Sequence, residues 1–68
     1  MEGEISVRII FKDSCQENGG YFFTYKGKSY KRHSKIVEFS IESFEKAILR
    51  LNSEFEFNEI KKIVIDDM

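Results

Sequence analysis

The chain has 68 residues, a formal net charge of −1 and 41% hydrophobic residues. A chain of this length is predicted to form one domain, residues 1–68, and its apolar content favours an ordered chain over a disordered one. The near-neutral charge argues against a dedicated nucleic-acid binder, because such domains are usually basic overall. No unbroken apolar stretch is long enough to cross a membrane, so no membrane partner is predicted.

The cysteine and histidine content limits the chemistry of the chain. Cys15 is the single cysteine and His33 the single histidine. An intramolecular disulfide, a metal centre and a bound cofactor are therefore not predicted. One unpaired thiol fits a reducing compartment, and the acidic start of the chain does not resemble a signal peptide. We therefore expect a cytoplasmic protein.

The first predicted element is a β-strand. Ile5, Val7, Ile9 and Phe11 alternate with other residues along the chain, which indicates one buried face of a strand. Residues 13–20 are rich in polar residues and glycine, and this composition is typical of a loop.

A β-hairpin is predicted over residues 21–35. Its first strand begins at Tyr21, the chain turns near Gly27, and the second strand returns through Tyr30. This segment holds five of the eleven basic residues and five of the ten aromatic residues of the chain. Residues 36–39 are predicted to continue the same strand after a bulge.

A helix and a last strand complete the predicted fold. Ser40 is the predicted N-cap, and apolar residues recur at helical spacing from Ile41 to Phe55, whereas Leu49 lies off this stripe. The last strand is predicted over residues 60–65. The order strand, strand, strand, helix, strand predicts an α+β fold: a small two-layer domain in which one helix packs on one face of an antiparallel sheet.

The turn at Gly27 decides which aromatic side chains share a face of the hairpin. A two-residue turn formed by Lys26 and Gly27 would place Tyr30 opposite Phe23, on the apolar face. A three-residue turn would instead create a stacking platform on the outer face, formed by Phe22, Lys28, Tyr30 and Arg32. We favour the three-residue turn, because a lysine forced to positive φ costs about 1 kcal/mol or more.

The hairpin is the predicted contact surface of a non-catalytic binding module. Catalysis is the weakest interpretation, because no third group orients Cys15 and His33 as nucleophile and base. The first hypothesis is a protein-binding regulator, inhibitor or assembly subunit, of the kind that mobile elements encode. Aromatic and arginine side chains are enriched among the residues that dominate protein interfaces. The predicted partner-binding residues are Phe22, Tyr25, Lys28, Tyr30, Lys31, Arg32 and Leu49.

Two alternative functions stay open from the sequence. In the first, the hairpin binds nucleic acid, with cations on phosphates and rings stacked on bases. The residues assigned to that role are Lys26, Lys28, Lys31, Arg32, Lys35, Phe22 and Tyr30. In the second, the chain is a structural homo-oligomer such as a homodimer, because so small a domain gains stability from a further buried surface.

Overall fold

A computed structural model describes residues 4–67 of the chain. Within these residues there are six strands, one α-helix and two short 3₁₀ turns, which cover Asp13–Cys15 and Phe57–Glu59. The strands and the helix are β1 (Ile5–Phe11), β2 (Gln16–Glu17), β3 (Gly20–Tyr25), β4 (Lys28–Arg32), β5 (Ile36–Ile41), α1 (Phe44–Glu54) and β6 (Ile60–Asp67).

The strands form two small antiparallel sheets with the orders β5-β1-β6 and β2-β3-β4. The predicted α+β class is confirmed, and the strands divide between two sheets instead of forming one. Residues 36–41 do not extend β4: they form the separate strand β5, in which Val37 lies opposite Ile9 and Phe39 opposite Val7. This pairing extends the apolar face of β1, which an extension of β4 would not do.

The core lies between one face of β1 and helix α1. The alternation predicted for β1 is confirmed, and Phe11 stacks on Phe23 of the second sheet with ring centroids 4.8 Å apart. This aromatic pair connects the two sheets. The buried core residues are Val7, Ile9, Phe11, Phe23, Ala47, Leu51 and Phe55.

Helix α1 begins at Phe44, later than the sequence predicted. The predicted N-cap Ser40 lies in β5 opposite Ser6, because the pairing of β5 with β1 continues as far as Ile41. Ser43 is the N-cap, and its side chain accepts a hydrogen bond of 3.2 Å from the backbone N–H of Lys46.

The apolar stripe predicted for the helix is only partly buried. Ala47 and Leu51 face the core, whereas the side chains of Phe44 and Ile48 are 55% and 37% exposed. The helix packs mainly against β1 and β5, so the side of the stripe away from β5 stays uncovered.

Both hairpins turn through two residues with positive φ: Asn18 and Gly19 at 53° and 80°, and Lys26 and Gly27 at 52° and 78°. Such pairs form type I′ turns, whose twist matches that of the flanking strands. The three-residue turn predicted at Gly27 is therefore wrong. The backbone N–H of Lys26 donates to the carbonyl of Glu54 at 2.8 Å, and this tertiary contact holds Lys26 in its strained conformation.

Replacing Lys26 with asparagine should stabilise the protein. Asparagine adopts positive φ more readily than lysine, and Asn-Gly is the preferred type I′ pair. We expect the free energy of unfolding to rise by about 0.5–1 kcal/mol, measured by urea denaturation. The control is Lys28→Asn, the same substitution at an exposed strand position. An equal effect at both positions would contradict the strain at Lys26.

Candidate binding groove

A groove of about 310 Å³ lies between the β3–β4 hairpin, strand β5 and the C-terminal part of α1. Most of its lining side chains are aromatic or aliphatic, and three are charged. This is the composition of binding sites in which a few polar groups orient a ligand over an apolar surface. The lining residues are Phe23, Tyr25, Tyr30, Arg32, Val37, Glu38, Phe39, Arg50 and Phe55.

The two-residue turn builds the aromatic surface of the groove. Because Phe23 lies opposite Tyr30 in the hairpin, their rings stack with centroids 6.0 Å apart. Tyr25 meets Tyr30 edge-on at 6.1 Å and Phe55 at 5.0 Å. Tyr30 is nevertheless 45% exposed, so the inward-facing register leaves a ring surface that a ligand can contact.

Arg50 forms a fixed wall of the groove. Its guanidinium carbon lies 4.3 Å from the centroid of the Phe39 ring, and its Nη2 donates to the Tyr25 hydroxyl at 3.2 Å. Its Nε donates to the Glu54 carboxylate at 2.8 Å. The hydrogen bonds to Tyr25 and Glu54 raise the pKa of Arg50, and the bond from Arg50 lowers the pKa of Glu54. Both shifts favour the charged pair.

Arg32 is the cation at the rim of the groove. No ion pair or hydrogen bond engages its side chain among residues 4–67. Glu38, the acidic residue of the lining, is already paired with Arg8 at 2.7 Å. Within the described part of the chain, the guanidinium donors of Arg32 are therefore not used by another side chain.

Two strand edges border the groove. Within residues 4–67, β4 pairs only with β3, and β5 pairs only with β1. The Phe11 N–H donates to the Lys35 carbonyl at 2.9 Å, and bonded pairs alternate along an antiparallel ladder. Val37 and Phe39 therefore direct their backbone groups to β1, whereas Glu38 directs its N–H and C=O to the open edge.

The groove contains three of the predicted partner-binding residues: Tyr25, Tyr30 and Arg32. Lys28 shares their face of the hairpin, opposite Tyr25, but lies outside the lining. Leu49 is an exposed residue of α1 that also lies outside the lining.

Phe22 and Lys31 lie on the other face of the hairpin. They are opposite each other in the β3–β4 pairing, and the ammonium group of Lys31 is 5.6 Å from the centroid of the Phe22 ring. The predicted stacking platform of Phe22 with Tyr30 is therefore wrong, because the two-residue turn separates these rings onto opposite faces.

The remaining predicted cations lie at the two ends of β4. Lys26 is in the turn, with its ammonium group 4.0 Å from the Glu54 carboxylate, and Lys35 lies in the connection to β5, exposed to solvent. The cations assigned to nucleic acid are thus distributed over both faces and both ends of the hairpin.

The Cys15 side chain is held by contacts with the core and with the backbone of Glu59. Its thiol donates to the carbonyl of Glu59 at 3.6 Å and packs against the core, whereas His33 is exposed in the β4–β5 connection. Residues 4–67 contain no cluster of three or more His, Cys, Asp or Glu side chains that could hold a metal ion. In the same part of the chain, no helix is long and apolar enough to span a bilayer.

Residues 4–67 thus form a small α+β domain with an aromatic groove that has Arg32 at its rim. A scan against protein-family models and searches of curated proteins and of solved structures find no match. The function is therefore inferred from the geometry of this chain.

Proposed function

We propose that this chain is a non-catalytic module that binds an extended, acidic segment of another protein in the groove between β4 and β5. The observation that carries the proposal is Arg32, whose side chain has no partner within residues 4–67, at the rim of an aromatic groove bordered by the edges of β4 and β5. Such a module acts as a regulator, an inhibitor or an assembly subunit, and the unpaired thiol of Cys15 fits a cytoplasmic location.

The open edge of β5 favours an extended ligand. A peptide that adds a strand to a sheet edge gains affinity from main-chain hydrogen bonds and specificity from pockets for alternate side chains. The backbone of Glu38 supplies such a donor and acceptor, and the rings of Tyr30 and Phe39 line the space beside it. An apolar side chain of the bound strand would pack against these rings.

The charge of the hairpin favours an acidic ligand. Residues 26–36 hold five cations and no acid, although the whole chain has a net charge of −1. A planar guanidinium such as that of Arg32 can bond a carboxylate with two parallel N–H···O bonds, which fixes orientation as well as adding affinity. The preferred segment therefore has an acidic residue next to an apolar one.

The nucleic-acid alternative has less support from the geometry. Of the five cations assigned to nucleic acid, Lys28 and Arg32 lie on the same face of the hairpin as Tyr30, whereas Lys31 lies on the other face with Phe22. The logarithm of the binding constant falls linearly with the logarithm of the salt concentration, and the slope grows with the number of phosphate contacts. Two contacts on a single strand imply a slope of about −1.4, whereas the five predicted from the sequence imply about −3.5. A titration with mixed oligonucleotides that gives the steeper slope would favour this alternative.

The proposal is tested by selecting ligands from a displayed library of random twelve-residue peptides. We expect the selected sequences to be enriched in acidic residues adjacent to an aromatic or aliphatic residue. A synthetic selected peptide should lose roughly tenfold or more in affinity for Tyr30→Ala and for Arg32→Ala, because residues of these types dominate interfaces. Binding is measured by isothermal titration calorimetry.

The matched control is Lys31→Ala, which removes a cation from the same strand on the opposite face. Binding to this variant should stay within about threefold of the unchanged protein, since Lys31 lies on the face of the hairpin away from the groove and its charge is exposed to solvent. Selected peptides without acidic enrichment, or equal losses for Arg32→Ala and Lys31→Ala, would overturn the proposal.

A further inference from the structure

Strand β6 presents a second open edge, on the side of the first sheet away from the groove. Among residues 4–67 it pairs only with β1. Its register with β1 shifts between Ile10 and Phe11, which marks a bulge at Lys61, so the regular part of the strand is residues 62–67. Exposed edges of this length are normally blocked or paired, because they template the addition of another strand.

Hydrogen-bonded pairs alternate with non-bonded pairs along an antiparallel ladder, and this alternation determines which β6 residues can hydrogen-bond to an added strand. The N–H of Phe11 donates to the carbonyl of Lys35, directly before β5, so Phe11 and every second residue before it face β5. The residues in between, Ser6, Arg8 and Ile10, therefore direct their backbone groups to β6. Their partners on β6 are Asp66, Val64 and Lys62. The residues between them, Ile63 and Ile65, therefore direct their N–H and C=O groups to the open edge.

We propose that a second copy of this chain pairs with the β6 edge, antiparallel and about a two-fold axis at Val64. In this register Ile63 forms a bonded pair with Ile65 of the second copy, and Lys62 lies opposite Asp66 of the second copy. Symmetry produces each pair twice. A shift of two residues places Lys62 opposite Val64, or Asp66 opposite Val64, and loses both charge pairs. The sequence Lys-Ile-Val-Ile-Asp is thus self-complementary in this one register.

The charges explain why the partner is a second copy. A lysine at a strand edge ordinarily opposes pairing with an unrelated strand, and Lys62 has no ion pair among the described residues. Asp66 is exposed and likewise has no ion pair within residues 4–67. Both lie on the face of the sheet away from the helix, as their partners Ile10 and Ser6 do. Lys62 and Asp66 are both paired with an opposite charge by an antiparallel strand that has a lysine and an aspartate at the same spacing, as a second copy of β6 does.

Apolar side chains on the helix side support the same interface. Ile63 and Ile65 are only half-buried, since α1 packs mainly against β1 and β5. Arg50 contacts Phe39, so its side of α1 faces β5. Residues of a helix are about 100° apart, so Ile48 lies on the opposite side of α1 from Arg50, towards β6. A two-fold axis perpendicular to the sheet puts both helices on one face, so the uncovered side chains of the two copies face each other across the axis.

The test reverses the charges of the edge one at a time. In Lys62→Asp two acids face each other at each end of the interface, and in Asp66→Lys two lysines do. Because cross-strand charge pairs stabilise when opposite and destabilise when alike, each variant should dimerise roughly tenfold or more weakly than the unchanged protein. Sedimentation equilibrium over a range of concentrations gives the dissociation constants, and Lys28→Asp on β4 is the control.

An equimolar mixture of the two variants decides the proposal. Lys62→Asp supplies two acids at the edge and Asp66→Lys supplies two lysines, so the mixture should form a heterodimer with about the affinity of the unchanged protein. The double variant should again form a homodimer. A monomeric mass for the unchanged protein at millimolar concentration, undiminished dimerisation of both single variants, or failure of the mixture to associate would each overturn the proposal. Circular dichroism verifies that every variant is folded.

Discussion

Replacing Phe11 with alanine is expected to leave the protein barely folded at 25 °C. Phe11 is 1% exposed and stacks on Phe23 with centroids 4.8 Å apart, so truncation removes the aromatic contact between the two sheets. Phenylalanine-to-alanine substitutions in cores cost about 3–5 kcal/mol. At about 0.05–0.15 kcal/mol per residue, the whole stability of such a chain is about 3–10 kcal/mol. The loss is comparable with the lower part of that range.

Urea denaturation followed by circular dichroism measures this effect. The control is Phe57→Ala, since Phe57 is the same residue type but 51% exposed, and its truncation should cost about 0.5 kcal/mol or less. Similar losses for the two variants would mean that Phe11 is not the contact that holds the sheets together.

The burial of Phe11 could be predicted from the sequence because it depends on a local pattern. Ile5 to Phe11 alternate, and any strand with this period has one apolar face. The division into two sheets has no such local signal. Val37 and Phe39 have an apolar alternation that suits either an extension of β4 or pairing with β1, and only the contact with Val7 and Ile9 decides between them.

The groove was predictable in part for the same reason. Tyr25, Tyr30 and Arg32 stand out as interface residue types within one short segment, and the structure brings them together. Phe39 and Arg50 come from elements distant in sequence, and the sequence signal of Arg50 was only its spacing of four from Glu54, which predicts an ordinary helical ion pair. Its contacts with the hairpin and β5 follow from tertiary packing.

The turn error has a similar origin. A lysine at positive φ is strained, as expected for Lys26 from the sequence. The hydrogen bond from Lys26 to Glu54 and the stacking of Tyr30 on Phe23 offset this strain, and they form only in the folded chain. The consequence for the proposed function is large, because the observed register moves Tyr30 from a flat outer surface into a groove.

The groove lies at the β5 edge of the β5-β1-β6 sheet, and the β6 edge is the opposite edge of the same sheet. A dimer formed through β6 would leave both grooves open, one at each end of a continuous six-stranded sheet. If both proposals hold, the dimer is bivalent, and a partner that carries two acidic segments would bind it more tightly than either segment alone. Disrupting the dimer at Lys62 would then weaken binding of a two-segment ligand while leaving the affinity for a single peptide unchanged.

Replacing Glu59 with alanine should have the second-largest effect on stability. Its carboxylate accepts hydrogen bonds from the backbone N–H and the hydroxyl of Thr24, at 2.8 and 2.9 Å. Thr24 lies between the hydrogen-bonded pairs of the β3–β4 ladder, so its N–H points away from β4, to the other edge of β3. On that edge β2 pairs only with Gly20 and Tyr21 and does not reach Thr24. Glu59 supplies the acceptor that the missing strand would have provided.

The backbone of Glu59 connects further elements to the same point. Its carbonyl accepts the N–H of Lys12 at 3.0 Å and the thiol of Cys15, so this residue fixes the start of β6 against the segment after β1. Hydrogen bonds to charged groups contribute about 1.5–3 kcal/mol, and a buried donor left without an acceptor costs about 1–3 kcal/mol. Because Glu59 is half-buried and water can replace part of the interaction, we expect a loss of about 2–3 kcal/mol.

Three further variants resolve the Glu59 contribution by urea denaturation. Glu59→Gln keeps an acceptor for the Thr24 N–H and should lose about half as much, and Thr24→Val removes only the hydroxyl and should lose about 1 kcal/mol. Glu56→Ala is the matched control, an exposed glutamate whose side chain has no partner among residues 4–67. Because Thr24 and Glu59 act as one unit, the losses of Thr24→Val and Glu59→Ala should not add in the double variant. Additive losses, or an equal loss for Glu56→Ala, would show that the carboxylate does not hold β3 in place.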